Sequence, residues 1–162
     1  MFEALPSTVY DAAGNKLAVC SPDFDLTAPM KPEDVPDVLK LAVVAAEDQR
    51  FYEHHGVDLQ GVARAAWVSY QGGEILQGGS TITQQYIKNA YLNFDEVLPQ
   101  ALREALLATQ LERQMTKDEI LFNYLNTIYF GAGAHGAAAA AQSYFQAASQ
   151  LNLSEAATLR PA

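Results

Sequence analysis

The sequence predicts a mainly α domain with a small β-hairpin at its N-terminus. Apolar residues recur at helical spacing through most of the chain after residue 37. β-prone alternation is confined to residues 8–19, and Pro22, Pro29, Pro32 and Pro36 separate the two regimes. At 162 residues the chain suits one domain, read as a hairpin and extended linker over 1–36 and a helical core over 37–162.

In the hairpin, Thr8-Val9-Tyr10 and Lys16 to Val19 flank a Gly-containing turn over 11–15. Val38, Leu39, Ala42, Val43 and Ala46 form the stripe of a first helix, with Glu47 at its edge and near its end. Leu59, Val62, Ala63, Ala66, Trp67 and Tyr70 mark a second stripe. QGGEILQGGS, 71–80, is a Gly-rich loop before a third helix starting near Ser80 or Thr81. Val97, Leu98, Ala101, Leu102, Ala105, Leu106 and Thr109 form the stripe of a fourth. Thr116-Lys117-Asp118-Glu119 has capping-box spacing and opens a fifth through Ile120, Leu121, Tyr124, Leu125 and Ile128. A glycine loop over 130–136 precedes an Ala-rich helix to about Ala147, and Ser154-Glu155 begins a last, short one.

Hydrophobic residues make up 49% of the chain and charged residues 18%, which is globular composition. The net charge is −9, and the 10 Lys and Arg residues form no basic run, so nucleic acid is not an expected partner. One cysteine, Cys20, excludes a disulfide framework or a Cys-based zinc site. No stretch reaches the roughly 18 to 20 apolar residues that span a bilayer. MFEALPS lacks signal-peptide features, so any membrane anchor is expected outside these residues.

AAEDQRFYEHHGVD, 45–58, concentrates ionisable groups behind an apolar run. Partial desolvation at an apolar helix edge would suit Glu47 to acid–base work; the plain alternative is an exposed helix end. Taken alone, Glu104 reads as a solvated helix residue, although two glutamates on one cleft would suit glycosyl transfer. For His54 the residues favour a polar clamp on neighbouring backbone over a metal site with the adjacent His55. Gly78-Gly-Ser-Thr-Ile-Thr-Gln-Gln85 reads as an anion seat, since glycines, hydroxyls and a helix start all favour negative charge; the alternative is an ordinary helix cap.

At these residues the sequence resembles the peptidoglycan glycosyltransferases of family 51, the lysozyme-like transglycosylase domain of class A penicillin-binding proteins and monofunctional transglycosylases. The first family motif is matched by Glu47, Asp48, Phe51, His54 and Gly56, and the second by Gly78 through Gln85, followed by Lys88-Asn89. The fourth is matched by Lys117, Ile120, Leu121, Tyr124, Leu125 and Asn126, and the fifth by Gly131 to Gly136.

The resemblance implies a lysozyme-like helical fold and polymerisation of lipid II on a nascent glycan chain, with lipid pyrophosphate released. It implies that Glu47 is the general base, with Asp48, Phe51 and His54 holding its carboxylate. Gly79, Ser80, Thr81, Gln84, Gln85, Lys88, Lys117 and Asn126 are implied substrate-binding residues. Glu104 matches the second family glutamate, near the leaving group, where Mg²⁺ or Mn²⁺ is implied. Also implied are action at the extracytoplasmic face of the plasma membrane and a C-terminal transpeptidase domain in the full-length protein.

The family's third motif, Arg-Lys-x-x-Glu, is replaced here by Gln100-Ala101-Leu102-Arg103-Glu104, and Ala132 stands where a polar residue is frequent. Pre-placed cations stabilise a departing pyrophosphate, and losing such a group commonly costs on the order of 10² to 10³ in rate. Three expectations follow: a metal compensates, the chain is a truncated or altered domain, or the fold binds lipid II or the inhibitor moenomycin with weakened turnover. A lysozyme-like hydrolase is a further alternative, disfavoured by the STITQQ stretch.

Overall fold

The computed structural model describes residues 7–10, 16–20, 29–71, 79–91, 99–131, 133–145 and 148–161. Strand β1 (Ser7–Tyr10) pairs antiparallel with β2 (Lys16–Cys20), Ser7 opposite Cys20, with a register irregularity between Val9 and Tyr10. The expected turn at 11–15, most of the loop at 71–80, Val97-Leu98, Ala132 and Ala147 lie outside the described residues.

The expected extended linker contains a 3₁₀ turn, Pro32–Asp34, and the buried residues Met30 and Val35. Among the described residues seven α-helices follow: α1 (Asp37–Glu47), α2 (Leu59–Tyr70), α3 (Ile82–Tyr91), α4 (Gln100–Leu111), α5 (Lys117–Thr127), α6 (Ala137–Tyr144) and α7 (Leu153–Thr158). The mainly α expectation holds.

Helix α5 lies at the centre. It buries Ile120, Leu121, Tyr124 and Leu125 and packs against α3 and α6. Its capping box forms as its sequence predicts: the Thr116 hydroxyl accepts from the Glu119 N–H while the Glu119 carboxylate accepts from the Thr116 N–H. Small residues let α6 approach, with Ala137, Ala139, Ala140 and Ala141 all buried. Gly136, at φ +84°, begins that helix where a Cβ would lie 2.8 Å from the Asn126 carbonyl oxygen. Helix α6 ends at Tyr144, short of the expected Ala147, because Phe145 leaves helical geometry at φ −138°, ψ −100°. In α7 the cap is Asn152, paired with Glu155 in a second capping box. That Asn-x-x-Glu spacing was readable in the sequence.

Two expected stripes point the other way. No residue of α2 is buried, and Leu59, Trp67 and Tyr70 are 76%, 62% and 85% exposed. Helix α4 turns Leu102 and Leu106 outward and buries Glu104 and Ala108, which correct the readings of its apolar stripe and of Glu104 as solvated. The cause is a close approach. Gly56 sits at φ +88°, and a Cβ there would lie 2.7 Å from both the Ala108 carbonyl carbon and the Thr109 nitrogen. The backbone of α4 is pressed onto the 56 turn, so that face goes inward whatever the other face carries.

Gly56→Ala therefore combines a disfavoured φ with a backbone clash. It is expected to remove about 2 kcal/mol or more of stability, read as a lowered urea midpoint at unchanged slope. A midpoint within error of the parent would show that α4 does not depend on this approach.

Candidate active site

Glu47 closes α1, and Asp48 takes the C-cap with its N–H donating to the Val44 carbonyl. Glu47 lines a groove of about 1000 Å³. Its walls come from the end of α1, the 48–50 turn, α2 through Gly61, Arg64, Ala65 and Val68, the Gly79-Ser80-Thr81 segment, and Leu153, Ala157 and Arg160. Thus the structure brings Glu47, Asp48, Gly79, Ser80 and Thr81 to one place. It also adds Arg50, Arg64 and Arg160, which sequence reasoning missed because their spacing carries no motif.

Asp48 is buried, and its Oδ2 accepts from His54 Nε2 at 2.8 Å and from the Ile82 N–H at 3.1 Å. The N-terminus of α3 does seat an anion, as its composition suggests. The anion is the protein's own Asp48. His54 thus clamps a carboxylate, not backbone, which corrects the reading of its residue type. Its Nδ1 lies 3.4 Å from Lys117 Nζ, which donates to Glu112 Oε1 at 2.7 Å and sits 4.4 Å over the Phe51 ring. Thr83 Oγ1 donates to the same Glu112 oxygen at 2.6 Å. Glu112 and Thr83 escape sequence reading, because only the fold brings α3, α4 and α5 together there.

The cap alternative accounts for part of the second motif. The Thr81 N–H donates to Gln84 Oε1 at 3.0 Å, and the Gln84 N–H to Thr81 Oγ1 at 3.2 Å, a Thr-x-x-Gln capping box. The Thr81 hydroxyl also donates to the Gly56 carbonyl at 2.6 Å. Thr81 and Gln84 are therefore buried braces, while Ser80 is exposed on the groove. Gln85 reaches the key carboxylate itself: its Nε2 donates to Glu47 Oε2 at 3.2 Å.

Several of the expected site residues make their contacts within the protein. Phe51 is fully buried beneath Lys117. Asn126 Oδ1 accepts from the Met30 N–H at 2.7 Å and its Nδ2 donates to the Phe122 carbonyl at 3.1 Å, so it ties the linker to α5. Lys88 is exposed on α3. Glu104 is 8% exposed, accepts from Gln100 Nε2 at 2.7 Å, and is not among the residues lining the groove around Glu47. Gln100, in the place of a family cation, thus supplies Glu104 with an uncharged donor.

Residues 19–161 match the protein family described as Transglycosylase. The chain is 45% identical over 157 residues to penicillin-binding protein 1A of Neisseria flavescens, covering 96% of this chain and 19% of that protein. Penicillin-binding protein 1A of Neisseria gonorrhoeae gives the same identity and coverage. Penicillin-binding protein 1A/1B of Bacillus subtilis is 41% identical over 155 residues, covering 94% of this chain and 17% of that protein. The chain belongs to the transglycosylase family.

Transglycosylases are glycosyltransferases, and the chain spans about a fifth of the length of these relatives. The family's implied divalent ion would need oxygen or nitrogen donors from these residues. Among the described residues no three His, Cys, Asp or Glu side chains converge on a metal position, so a cage of protein ligands alone does not fit. No described helix is long and apolar enough to cross a membrane.

One transglycosylase groove residue yields a pH prediction. Asp58 caps α2 by accepting from the Gln60 N–H at 3.0 Å, and its Oδ1 also accepts from Arg50 at 3.0 Å. Burial pushes its carboxyl up, but the Gly61 N–H, the Arg50 guanidinium and the Gln60 N–H outweigh that and hold it below its ordinary value. A carboxyl depressed by folding stabilises the fold above its unfolded pKa, and the effect is lost as pH falls through the folded one. Asp58→Ala is expected to remove about 1 to 2 kcal/mol at pH 7. The gap to the parent should narrow as pH falls below roughly 4; a gap constant from pH 7 to 3 would contradict this account.

Proposed function

We propose that this domain polymerises lipid II into β-1,4 glycan with Glu47 as general base. The observation that carries the reading is the Glu47 carboxylate, braced by the Gln85 amide on a groove shared with Ser80, Arg64 and Arg160. Glu47 takes the proton from the 4-hydroxyl of the acceptor sugar. That oxygen attacks the anomeric carbon of the donor glycan from the opposite face. The carbon–oxygen bond to the lipid diphosphate breaks, and the diphosphate leaves with the electron pair, inverting the centre.

The diphosphate needs positive charge, and Gln100-Ala101 supplies none. Arg50 is engaged by Glu53 and Asp58, which leaves Arg64 and Arg160 as the cations best suited to face it. Glu104 lies off that groove, so a Mg²⁺ or Mn²⁺ at the diphosphate would take its oxygens from the substrate phosphates and water. The outward apolar face of α2, with Leu59, Trp67 and Tyr70, supports work beside lipid at the extracytoplasmic membrane face, with an anchor outside these residues. The greater length of the relatives supports a further, transpeptidase domain in the full-length protein.

A second reading rests on Gln100 in the cation position: a domain that holds lipid II or moenomycin with weakened turnover. A glycan-chain assay separates the two. The parent should make polymer with Mg²⁺ or Mn²⁺ supplied, and Glu47→Gln should lower the rate by roughly 10² or more. Moenomycin binding without polymer would instead establish the second reading.

In the same assay Arg64→Ala with Arg160→Ala is expected to reduce kcat by on the order of 10². Parent-like rates in that double variant would mean that the leaving group is stabilised elsewhere.

A further inference from the structure

Tyr124 is fully buried in the middle of α5, where a phenylalanine would fill nearly the same volume. A buried hydroxyl needs a partner, and here the partner is specific: Tyr124 Oη donates to Gln85 Oε1 at 2.7 Å. The other end of that amide donates to Glu47 at 3.2 Å. An amide has nearly the same shape in its two flipped orientations but opposite polarity. One presents N–H to Glu47; the other presents a carbonyl oxygen, which a carboxylate repels.

We propose that Tyr124 is a positioning residue for Glu47: the carboxylate selects the Gln85 amide orientation that offers it an N–H, and the Tyr124 hydroxyl tethers the amide oxygen and holds that N–H in place. The inference rests on the reading of Glu47 as the base. Burial, and then the charges of Glu47 and Asp48, push the phenol of Tyr124 up, so it keeps its proton and remains a donor through the working pH range. A carboxylate acting as base must start each cycle ionised, and a fixed donor favours that form.

The other groups around Glu47 do not fix that amide. Asp48 is engaged by His54 and the Ile82 N–H. Arg50 and Asp58 pair with one another on the groove wall. Arg64 of α2 and Arg160 beyond α7 line the same groove, and Glu155 of α7 is engaged in its own helix cap. All these groups persist in a Tyr124 variant, so a change in pH dependence there is assignable to the amide.

The test measures pH–rate profiles of lipid II polymerisation for the full 162-residue chain and its Tyr124→Phe variant. In Tyr124→Phe, kcat is expected to fall roughly tenfold with KM within about twofold, and the acid limb of kcat to move up by roughly one pH unit. In a Gln85→Ala background, Tyr124→Phe should move the limb no further. An acid limb at the parent position, or a shift that persists without Gln85, would overturn the assignment. Should Tyr124→Phe not fold, Gln85→Met carries the test: an upward limb supports the proposal and an unmoved limb refutes it. Polymer from the parent, lost in Glu47→Gln, keeps the reading of the base while an unmoved Tyr124→Phe limb sinks only this inference. If the parent makes no polymer, that reading fails instead. The ¹³C titration of the Glu47 carboxyl in parent and Tyr124→Phe then decides the amide's role, an upward-moving midpoint supporting it and an unmoved one overturning it.

Discussion

The site depends on one buried carboxylate, that of Asp48, seated on the first N–H of α3. A helix N-terminus carries unpaired donors and a positive dipole end, so it holds an anion well. Because Asp48 directly follows α1, this single contact fixes where α1 ends relative to where α3 begins. Glu47 is then placed one residue away, beside Gln85 on the first turn of α3. Asp48 is not left to one partner. His54 donates to it, Lys117 approaches the far ring nitrogen of His54, and Glu112, which also accepts from the Thr83 hydroxyl, holds Lys117. Removing any one member would leave a buried charge or dipole without its complement, a costly defect in a low-dielectric interior. The chain of contacts therefore behaves as a unit joining α1, α3, α4 and α5. Its first and last members lie on different helices, which gives the groove floor its rigidity.

Where the chemistry is local, the sequence was a good guide. The Thr116 capping box, the end of α1 near Glu47 and the start of α3 near Thr81 all follow from side chains that satisfy their own helix ends. Glu47 and Ser80, thirty-odd residues apart, were expected on one groove through a family resemblance, and the fold places them there. Periodicity failed for α2 and α4. It reports that a helix has an apolar face, not which neighbour covers it. Close contact of Gly56 with the backbone at Ala108 dictates the facing of α4, and no pattern within α4 encodes that. The same holds for Glu104: its burial comes from the turn of the helix, and only the fold shows Gln100 donating to it. Thr81, Gln84 and Asn126 stand at motif positions that the family resemblance links to substrate. Their hydrogen bonds go to the protein's own backbone.

The excess of acidic residues acquires a meaning in this light. A net charge of −9 argues against anionic partners in general, yet the proposed leaving group is a diphosphate. The resolution is spatial. Asp48, Glu112 and Asp58 are each neutralised by buried donors or cations, so they contribute little repulsion at the groove. Arg64 and Arg160, from distant parts of the chain, both line it. Local charge at the site is thus decoupled from the overall balance, and only a fold could bring it about.

The two sides of the groove differ in how firmly they are held. On one side Glu47 stands on α1, whose Leu39 and Val43 are buried and which packs against α7. On the other, α2 buries no residue at all and is fixed at its start by Asp58, which joins Gln60 and Arg50. An element with so little buried surface opens locally at lower free energy than the core around α5. That division suits the proposed polymerisation, with Glu47 as the proposed base. The base needs a position held within a fraction of an ångström, because a small misplacement of a reacting group is expensive in rate. In the proposed reaction the opposite wall, carrying Arg64 and an outward apolar face, would accept and release a lengthening glycan. A compliant α2 across from a rigid Glu47 meets both demands in one small domain.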